Sequence, residues 1–283
     1  MKANYPNFFI VGAAKCGTSS LAYYLSQHPF IFISAIKEPD FFSHQELEKQ
    51  QLYYQSPSIK SKKLYLDLFK GVKNETVIGE ASVSYLFYPK TAQNIYEFNP
   101  KSKIIILLKD PIKRAISHYL MDYRLGLVST SLDEIIADKG NKMKYHYQQY
   151  ISLGKYSSQV KQYYNVFGKD QVKVYFSDND IINFLPNIYR FLGVDTTFEL
   201  IDKEQQNQNR AFKNPILKKV YQNHKLRNML KNVIPNIITN RIKTEKVELN
   251  LNSSSLDYMR TIYKEENAKL EGVLGEKCWD YNL

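Results

Sequence analysis

Short apolar runs alternate with helical patterns along most of the chain. Residues 103–108 form a nearly continuous apolar run, which is typical of a strand buried on both faces of a parallel sheet. The pattern predicts strands over 7–11, 30–33, 77–79, 103–108 and 172–176, with helices over 18–27, 91–98, 112–124, 157–167 and 181–192. Alternating strands and helices predict an α/β fold, with a mainly parallel central sheet between two helical layers.

The remaining segments suggest how this fold is completed. The C-terminal third, from Pro215 onward, has a helical pattern and contains no clear strand. Residues 139–149 are polar and rich in tyrosine, which favours a mobile excursion near the site. No composition shift marks a linker, so residues 1–283 are expected to form a single domain.

Composition narrows the class of protein. The chain has 283 residues, of which 43% are hydrophobic and 24% charged, so it can bury a large core and is not generally disordered. Its two cysteines, Cys16 and Cys278, exclude a disulfide scaffold and indicate a reducing compartment. Since the sequence also shows neither a signal-peptide core nor a membrane-spanning run, we expect a soluble cytoplasmic protein.

The charge is strongly positive and unevenly placed. The net charge is +11, and residues 210–243 contain nine basic residues and no acidic ones. This excess indicates a polyanionic ligand or surface, although a solvated helix face is an alternative interpretation. Apolar residues accompany the cations over 216–243, so this segment is also a candidate for peripheral binding to acidic lipid.

The loop after the first predicted strand has the composition of a phosphate-binding turn. Gly12 and Gly17 enclose Lys15, and Thr18 and Ser19 open the following helix. Backbone N–H groups and the helix dipole therefore converge where an anion is stabilised. The glycine spacing is that of a nucleotide phosphate loop, but Thr18 stands where such a loop has its lysine.

The usual magnesium ligands of a nucleotide kinase are also missing from the sequence pattern. The buried strand 103–108 is followed by Lys109 and only then by Asp110. No group of His, Cys, Asp and Glu has metal-ligand spacing, so phosphate binding without a metal is expected. Cys16 is interpreted as a small loop residue, because a cysteine-phosphatase loop needs an arginine six positions later, where Ala22 stands.

A second candidate phosphate motif follows the strand 103–108. Lys109 stands at the strand end, Pro111 suits the first turn of the next helix, and Ser117 lies eight residues after the lysine. A cation and a hydroxyl so placed can converge on one phosphate. Two such motifs on neighbouring strands predict a nucleotide with phosphates at both ends.

In this order and at this separation, the two motifs resemble those of the sulfotransferases that use 3′-phosphoadenosine 5′-phosphosulfate (PAPS), especially the carbohydrate and heparan-sulfate branch. The resemblance continues through KEPDFF (37–42), GEAS (79–82), LGKY (153–156) and FLG (191–193), and it extends to a closing helix that ends near Trp279. It covers nearly the whole chain and implies a P-loop-type fold.

The resemblance also implies roles for individual residues. Lys15 would contact the bridging oxygen of the phosphosulfate, and the rest of its loop would hold the 5′-phosphate. Lys109 and Ser117 would hold the 3′-phosphate, although the family usually has arginine at the first position and lysine lacks its two-pronged fork. The residues expected to bind the donor are Lys15, Cys16, Gly17, Thr18, Ser19, Ser20, Lys109, Ser117, Tyr156, Arg210 and Lys213. Arg114 is expected to pair with a carboxylate within the fold.

Glu38 is the candidate general base, because the glutamate of Glu-x-x-Phe-Phe has this role in the resembling carbohydrate enzymes. An ordinary ion pair with Lys37 is the alternative interpretation. His44 and His118 are the histidine alternatives, with His118 favoured as a core residue. The acceptor would also contact Glu80 and Ser82.

The implied reaction is sulfuryl transfer from PAPS to a hydroxyl or amine of a glycan or glycolipid. Heparan-type relatives carry a lysine directly after the glutamate at position 80, where Ala81 stands here, which argues against a heparan-like acceptor. Two alternatives stay open: a magnesium-dependent P-loop kinase acting on a small molecule, and a non-catalytic protein that binds anions or a membrane surface.

Overall fold

A computed structural model describes residues 5–50, 52, 58–178, 180–203, 211–212, 244–245 and 249–281. Its centre is a five-stranded sheet in the order β2-β3-β1-β4-β5, with every neighbouring pair parallel. The strands are β1 (Phe8–Gly12), β2 (Ile31–Ile33), β3 (Val77–Ala81), β4 (Lys103–Leu108) and β5 (Val172–Phe176). Parallel strands end at a common edge, so the loops after β1 and β4 lie side by side.

Helices cover the sheet, which confirms the predicted α/β class. The helices are α1 (Thr18–Ser26), α2 (His44–Gln50), α3 (Lys62–Asp67), α4 (Thr91–Phe98), α5 (Pro111–Leu125), α6 (Leu132–Asp138), α7 (Lys144–Tyr150), α8 (Tyr156–Phe167), α9 (Leu185–Leu192) and α10 (Ser253–Leu274). Helix α8 packs on β5, α4 and α10, while α1 packs on β2 and β3.

The apolar side chains form two packed clusters. The larger one contains both faces of the sheet, because β1 and all but the first residue of β4 are fully buried. Close packing of β1 on β3 requires glycine at position 79, since a Cβ atom there would lie 2.4 Å from the Phe8 ring. The smaller cluster joins α5, α6, α7 and α10 around residues such as Tyr150 and Tyr263. Helix α5 is therefore anchored in the smaller cluster while its N-terminus follows β4.

Three segments differ from their predicted structure. Residues 139–149, expected to be a mobile excursion, contain most of α7, and Gln148 and Gln149 are buried there. A two-residue strand, β7 (Thr244–Glu245), pairs antiparallel with β6 (Ala211–Phe212), although no strand was expected after Pro215. The helix predicted over 181–192 is a 3₁₀ turn followed by α9, because Pro186 favours a helix start there.

The C-terminal prediction is confirmed only where the structure describes the chain. Helix α10 agrees with a helical C-terminal third, whereas residues 216–243 lie outside the described part. Among the described residues, no helix combines the length and the apolar composition that a bilayer span requires.

Candidate active site

The first phosphate loop joins β1 to α1 at the carboxyl edge of the sheet. Lys15 and Gly17 have positive φ angles of 70° and 85°, so the chain turns sharply before the helix. At Gly17 a Cβ atom would also approach Ile181 Cδ1 to 2.5 Å, which favours glycine. The first N–H groups of a helix have no acceptor within it, so the start of α1 supplies donors for an anion. Thr18 lies in this first turn.

The ammonium group of Lys15 lies against α5. Its Nζ donates to Met121 Sδ at 3.4 Å. Burial, together with the charges of Arg124 and Lys37, lowers the pKa of Lys15 to about 8, while the charges of Asp122 and Glu38 oppose this shift. A half-buried cation with a lowered pKa is a strong electrostatic partner for an anion that enters the site.

Glu38 lies on a strained loop that is fixed to the end of β3. Its φ angle is 58°, and its backbone N–H donates to the Ala81 carbonyl at 2.9 Å. The Glu38 side chain is 39% exposed, and its Oε1 forms an ion pair with Lys37 Nζ at 2.8 Å. The alternative contact with Lys37 is thus present, but it leaves the carboxylate open to solvent and to an acceptor. The charge of Glu38 also opposes the lowering of the Lys15 pKa, so the two candidate catalytic groups are near enough to interact electrostatically.

Glu80 occupies a different environment from the one expected of an acceptor contact. It is 1% exposed and accepts hydrogen bonds from Tyr65 (3.0 Å), Tyr85 (2.7 Å) and Ser82 (2.8 Å). Burial raises the pKa of Glu80 to about 7, although the three hydroxyl donors oppose the shift. The Ser82 Oγ in turn accepts from the backbone N–H of Asp40 at 3.3 Å. Glu80 and Ser82 therefore support the loop that carries Glu38.

The second phosphate motif begins where β4 ends. Asp110 is the N-cap of α5, and its Oδ1 accepts from the Lys113 backbone N–H at 2.7 Å. Pro111 takes the first helical position, as predicted. Lys109, before the helix, and Ser117, on its second turn, are both partly exposed. This placement is compatible with a shared phosphate contact, which stays a prediction.

Tyr156 is buried between the two motifs. Its hydroxyl donates to the Lys109 carbonyl at 3.0 Å and lies 3.8 Å from Cys16 Sγ. The loop and the strand also meet directly, since the Ala13 N–H donates to the Leu107 carbonyl at 2.7 Å. Burial raises the pKa of the Cys16 thiol to about 11, which agrees with its interpretation as an unreactive loop residue. The two motifs therefore form one connected unit.

Arg114 and His118 both lie in the interior. Arg114 is fully buried and donates to the carbonyls of Gln149 (3.0 Å) and Tyr150. The expected carboxylate partner is thus replaced by the carbonyl end of α7, whose partial negative charge suits a guanidinium. Burial and the charge of Arg114 hold the pKa of His118 well below its usual range, which agrees with a core role. His44 Nδ1 lies 2.6 Å from the Phe41 carbonyl.

Sequence reasoning missed Met121 and Arg124 as members of the site. Both follow Ser117 at helical spacing, and positions 117, 121 and 124 share one face of α5. This spacing was available in the sequence. The sequence does not show the contact between that face and Lys15, because this contact depends on how α5 packs in the smaller cluster.

One expected contact with the nucleotide lies outside the described residues. Arg210 and Lys213, expected to close over the nucleotide, are not among them. Within the described part of the chain, no group of three or more His, Cys, Asp or Glu residues is arranged to hold a metal ion.

Comparison with known proteins identifies the family. The sequence profile of the sulfotransferase domain matches residues 5–271. The chain belongs to the sulfotransferase domain family. A sulfotransferase from Alicyclobacillus acidocaldarius, known from its crystal structure, is 32% identical with a TM-score of 0.73, and the match covers 97% of this chain and 98% of that one.

Curated members of the family match over shorter stretches. Carbohydrate sulfotransferase 15 from Mus musculus is 31% identical in a match that spans 150 residues and covers 41% of this chain and 27% of that protein. Membrane-associated sulfotransferase kil1 from Dictyostelium discoideum is 32% identical over 114 residues, or 40% and 22% of the two chains. The bifunctional heparan sulfate N-deacetylase/N-sulfotransferase 1 of Caenorhabditis briggsae is 27% identical in a match that spans 195 residues and covers 63% of this chain and 21% of that protein. The chain thus spans about a quarter of these relatives.

Proposed function

We propose that this sulfotransferase-family protein transfers the sulfuryl group of PAPS to a hydroxyl or amine of a glycan or glycolipid acceptor. The observation that carries the proposal is the juxtaposition of two phosphate motifs, at the ends of β1 and β4, with Lys15 within the first and Glu38 near it. Family membership supports the donor, because sulfotransferases of this family use PAPS.

In the proposed reaction, the acceptor oxygen or nitrogen attacks sulfur in line with the bridging phosphate oxygen. The new bond to sulfur forms as the bond between sulfur and that oxygen breaks, and the acceptor proton passes to the Glu38 carboxylate. Adenosine 3′,5′-bisphosphate (PAP) leaves, and Lys15 stabilises the negative charge that develops on its 5′-phosphate. Positioning and electrostatics supply most of the rate enhancement, as in phosphoryl transfer.

The contacts of Asp110 argue against the kinase alternative. This aspartate is the first carboxylate after β4, where a kinase would hold magnesium. Its two oxygens are already engaged, Oδ1 by the Lys113 N–H (2.7 Å) and Oδ2 by the Tyr281 hydroxyl (2.6 Å). The arrangement therefore favours a donor that is held by protein cations and amides.

The acceptor class rests on the relatives. Their names refer to carbohydrate and heparan sulfate, which supports a glycan. Ala81, in place of the lysine of heparan-type relatives, lies within β3 and accepts the Glu38 N–H, so the position has a structural role here. Cytoplasmic location, the single-domain organisation and membrane binding by residues 216–243 stay predictions.

Transfer of ³⁵S-labelled sulfuryl from PAPS to a panel of polysaccharides, glycolipids and small phenols tests the proposal. We expect label in a glycan or glycolipid fraction, and no transfer of ³²P from magnesium ATP. Glu38→Gln should lose most of the transfer, by a factor of about 10² to 10⁴, because it removes the base while donor binding persists. The matched control is Glu48→Gln, because Glu48 lies on α2, forms an ion pair with Lys60, and has no role in the proposed reaction; this variant is expected to leave transfer unchanged.

Two outcomes would contradict this account. Label that enters none of the acceptors while phosphate from ATP is transferred would replace the sulfotransferase with the kinase. Near-normal turnover in Glu38→Gln would place the general base elsewhere.

A further inference from the structure

The segment that follows α10, residues 275–281, folds back toward the start of α5; we call it the strap. Helix α10 ends at Gly275, whose φ angle of 82° turns the chain. The strap is fixed to its own helix by two bonds, from the Cys278 N–H to Glu271 Oε1 (3.0 Å) and from Asn267 Nδ2 to the Trp279 carbonyl (2.9 Å). Its far end is therefore held in a defined position.

Trp279 connects the strap to the end of β5. The indole N–H donates to Asp178 Oδ2 at 2.6 Å, and the ring packs edge-on against Phe176 with centroids 5.1 Å apart. The same Asp178 oxygen accepts the backbone N–H of Asp110 at 2.9 Å. One carboxylate oxygen thus joins the strap to the residue between Lys109 and Pro111.

Tyr281 makes a second, independent connection. Its hydroxyl donates to Asp110 Oδ2 at 2.6 Å, while the other oxygen of this carboxylate caps α5. Asp110 is 8% exposed, so these bonds are largely shielded from water and are correspondingly strong. The strap therefore fixes Asp110 through both its backbone and its side chain.

The neighbour of Asp110 is the cation assigned to the 3′-phosphate. The Lys109 carbonyl accepts from Tyr156, and the ring of Tyr156 lies 6.0 Å from that of Trp279. The backbone on both sides of Lys109 is thus held by a network that includes the strap. Fixing this backbone before binding lowers the entropic cost of placing Lys109 and Ser117 around one phosphate.

We propose that the strap, through Trp279 and Tyr281, positions Lys109 and Ser117 and so sets the preference of the protein for a nucleotide that carries a 3′-phosphate. This inference rests on the proposed function. Asp178, Trp279 and Tyr281 are positioning residues in this scheme, because they act on the nucleotide through Asp110. Loss of a strap contact should weaken binding of PAP and leave binding of adenosine 5′-monophosphate (AMP) unchanged.

Calorimetric titrations of the full chain with PAP and with AMP test this selectivity. Tyr281→Phe removes only the hydroxyl that binds Asp110, and Trp279→Phe keeps an aromatic ring on Phe176 but removes the donor to Asp178. Each variant is expected to bind PAP about 3- to 10-fold more weakly, because only part of the free energy of a hydrogen bond to a charged group reaches the nucleotide through Asp110. AMP affinity is expected to stay within about twofold of wild type.

Tyr258→Phe is the matched control. It also removes a tyrosine hydroxyl from the C-terminal region, but that hydroxyl lies 2.8 Å from the Tyr147 hydroxyl. The control is expected to bind both nucleotides like wild type.

The outcomes separate the strap from the proposed function. If PAP and AMP weaken equally in Tyr281→Phe and Trp279→Phe, or if neither weakens, the strap only holds the fold and the inference is wrong. If wild type itself does not prefer PAP to AMP, the proposed function fails, and the inference fails with it.

Discussion

At the scale of single residues, Lys15 shows how burial prepares a side chain for one kind of ligand. The pKa of Lys15 falls to about 8 because the ammonium group has lost much of its water and lies near the charge of Arg124. An anion placed beside this group replaces the lost solvation. The negative charge that develops on a leaving phosphate is stabilised most strongly in such an environment.

Lys15 predicts a specific dependence of activity on pH. As the pH rises through about 8, Lys15 in the free enzyme loses its proton, so kcat/KM for the donor should fall above this pH. The negative charge of bound donor raises the pKa of Lys15, so kcat should persist to higher pH. A pH–rate profile of both parameters checks this expectation.

Lys15→Arg provides the comparison for that profile. The guanidinium stays charged throughout the range, so the alkaline limb of kcat/KM should move upward even if the maximal rate is lower. A wild-type kcat/KM that stays flat up to about pH 10, near the ordinary pKa of lysine, would contradict the role given to Lys15.

The sequence was informative about residues whose position follows from a motif. Lys15 lies in the loop between β1 and α1, Lys109 directly follows β4, and Ser117 lies on α5, the helix that follows Lys109. It was less informative about Glu80, where local sequence does not show that Tyr65 and Tyr85 surround the carboxylate. Burial of this kind depends on contacts between distant segments.

At the scale of elements, the site consists of two strand–loop–helix units side by side. One is β1, the first loop and α1; the other is β4, Lys109 and α5. Adjacent parallel strands bring both loops to one edge, where the first amides of α1 favour one anion and Lys109 is the cation assigned to the other. Two anion sites on one rigid sheet suit a ligand with two separated phosphates.

Packing of β1 on β3 makes Gly79 a test of this sheet. In Gly79→Ala the new Cβ would lie 2.4 Å from the Phe8 ring, and both residues belong to buried central strands. We expect a loss of about 1–3 kcal/mol in the free energy of unfolding, the usual cost of overpacking a core. Chemical denaturation followed by circular dichroism measures the change.

Gly272→Ala is the control for this substitution. Gly272 lies on α10, and apart from its chain neighbours and the nearby backbone of its own helix, no atom of the described residues stands within 4 Å of the point that an alanine Cβ would occupy. Helix propensity then favours a gain of about 0.4–1 kcal/mol. Equal effects of the two substitutions would show that the contact between β1 and β3 does not have the geometry described.

Elements with strong periodicity were predictable, and short polar ones were not. The bounds of β4, β5 and α4 agree with the sequence pattern, because burial on both faces or one face leaves a clear signal. Helix α2 has no buried residue, so it has no apolar pattern to detect. Helix α6 did carry a signal, the capping box of Ser131 and Glu134.

At the scale of the whole molecule, the cations of the candidate site explain part of the net charge of +11. Lys37, on the Glu38 loop, and Arg124, on α5, both lower the pKa of Lys15, so three cations lie near the first phosphate loop, with Asp122 and Glu38 as opposing charges. The field of such cations attracts anionic ligands and raises their local concentration. The fold itself does not determine the acceptor, since function depends on the site and not on the architecture.

The central claim is that this site binds a nucleotide with phosphates at its 3′ and 5′ positions, and that it does so through protein cations and amides. The most direct test is calorimetric titration of the full chain with PAP, in chelator and in magnesium, compared with magnesium ATP. The account predicts saturable binding of PAP at one site with the same affinity in chelator and in magnesium, and weaker binding of magnesium ATP. Absence of heat with PAP in chelator, or tighter binding of magnesium ATP, would contradict it.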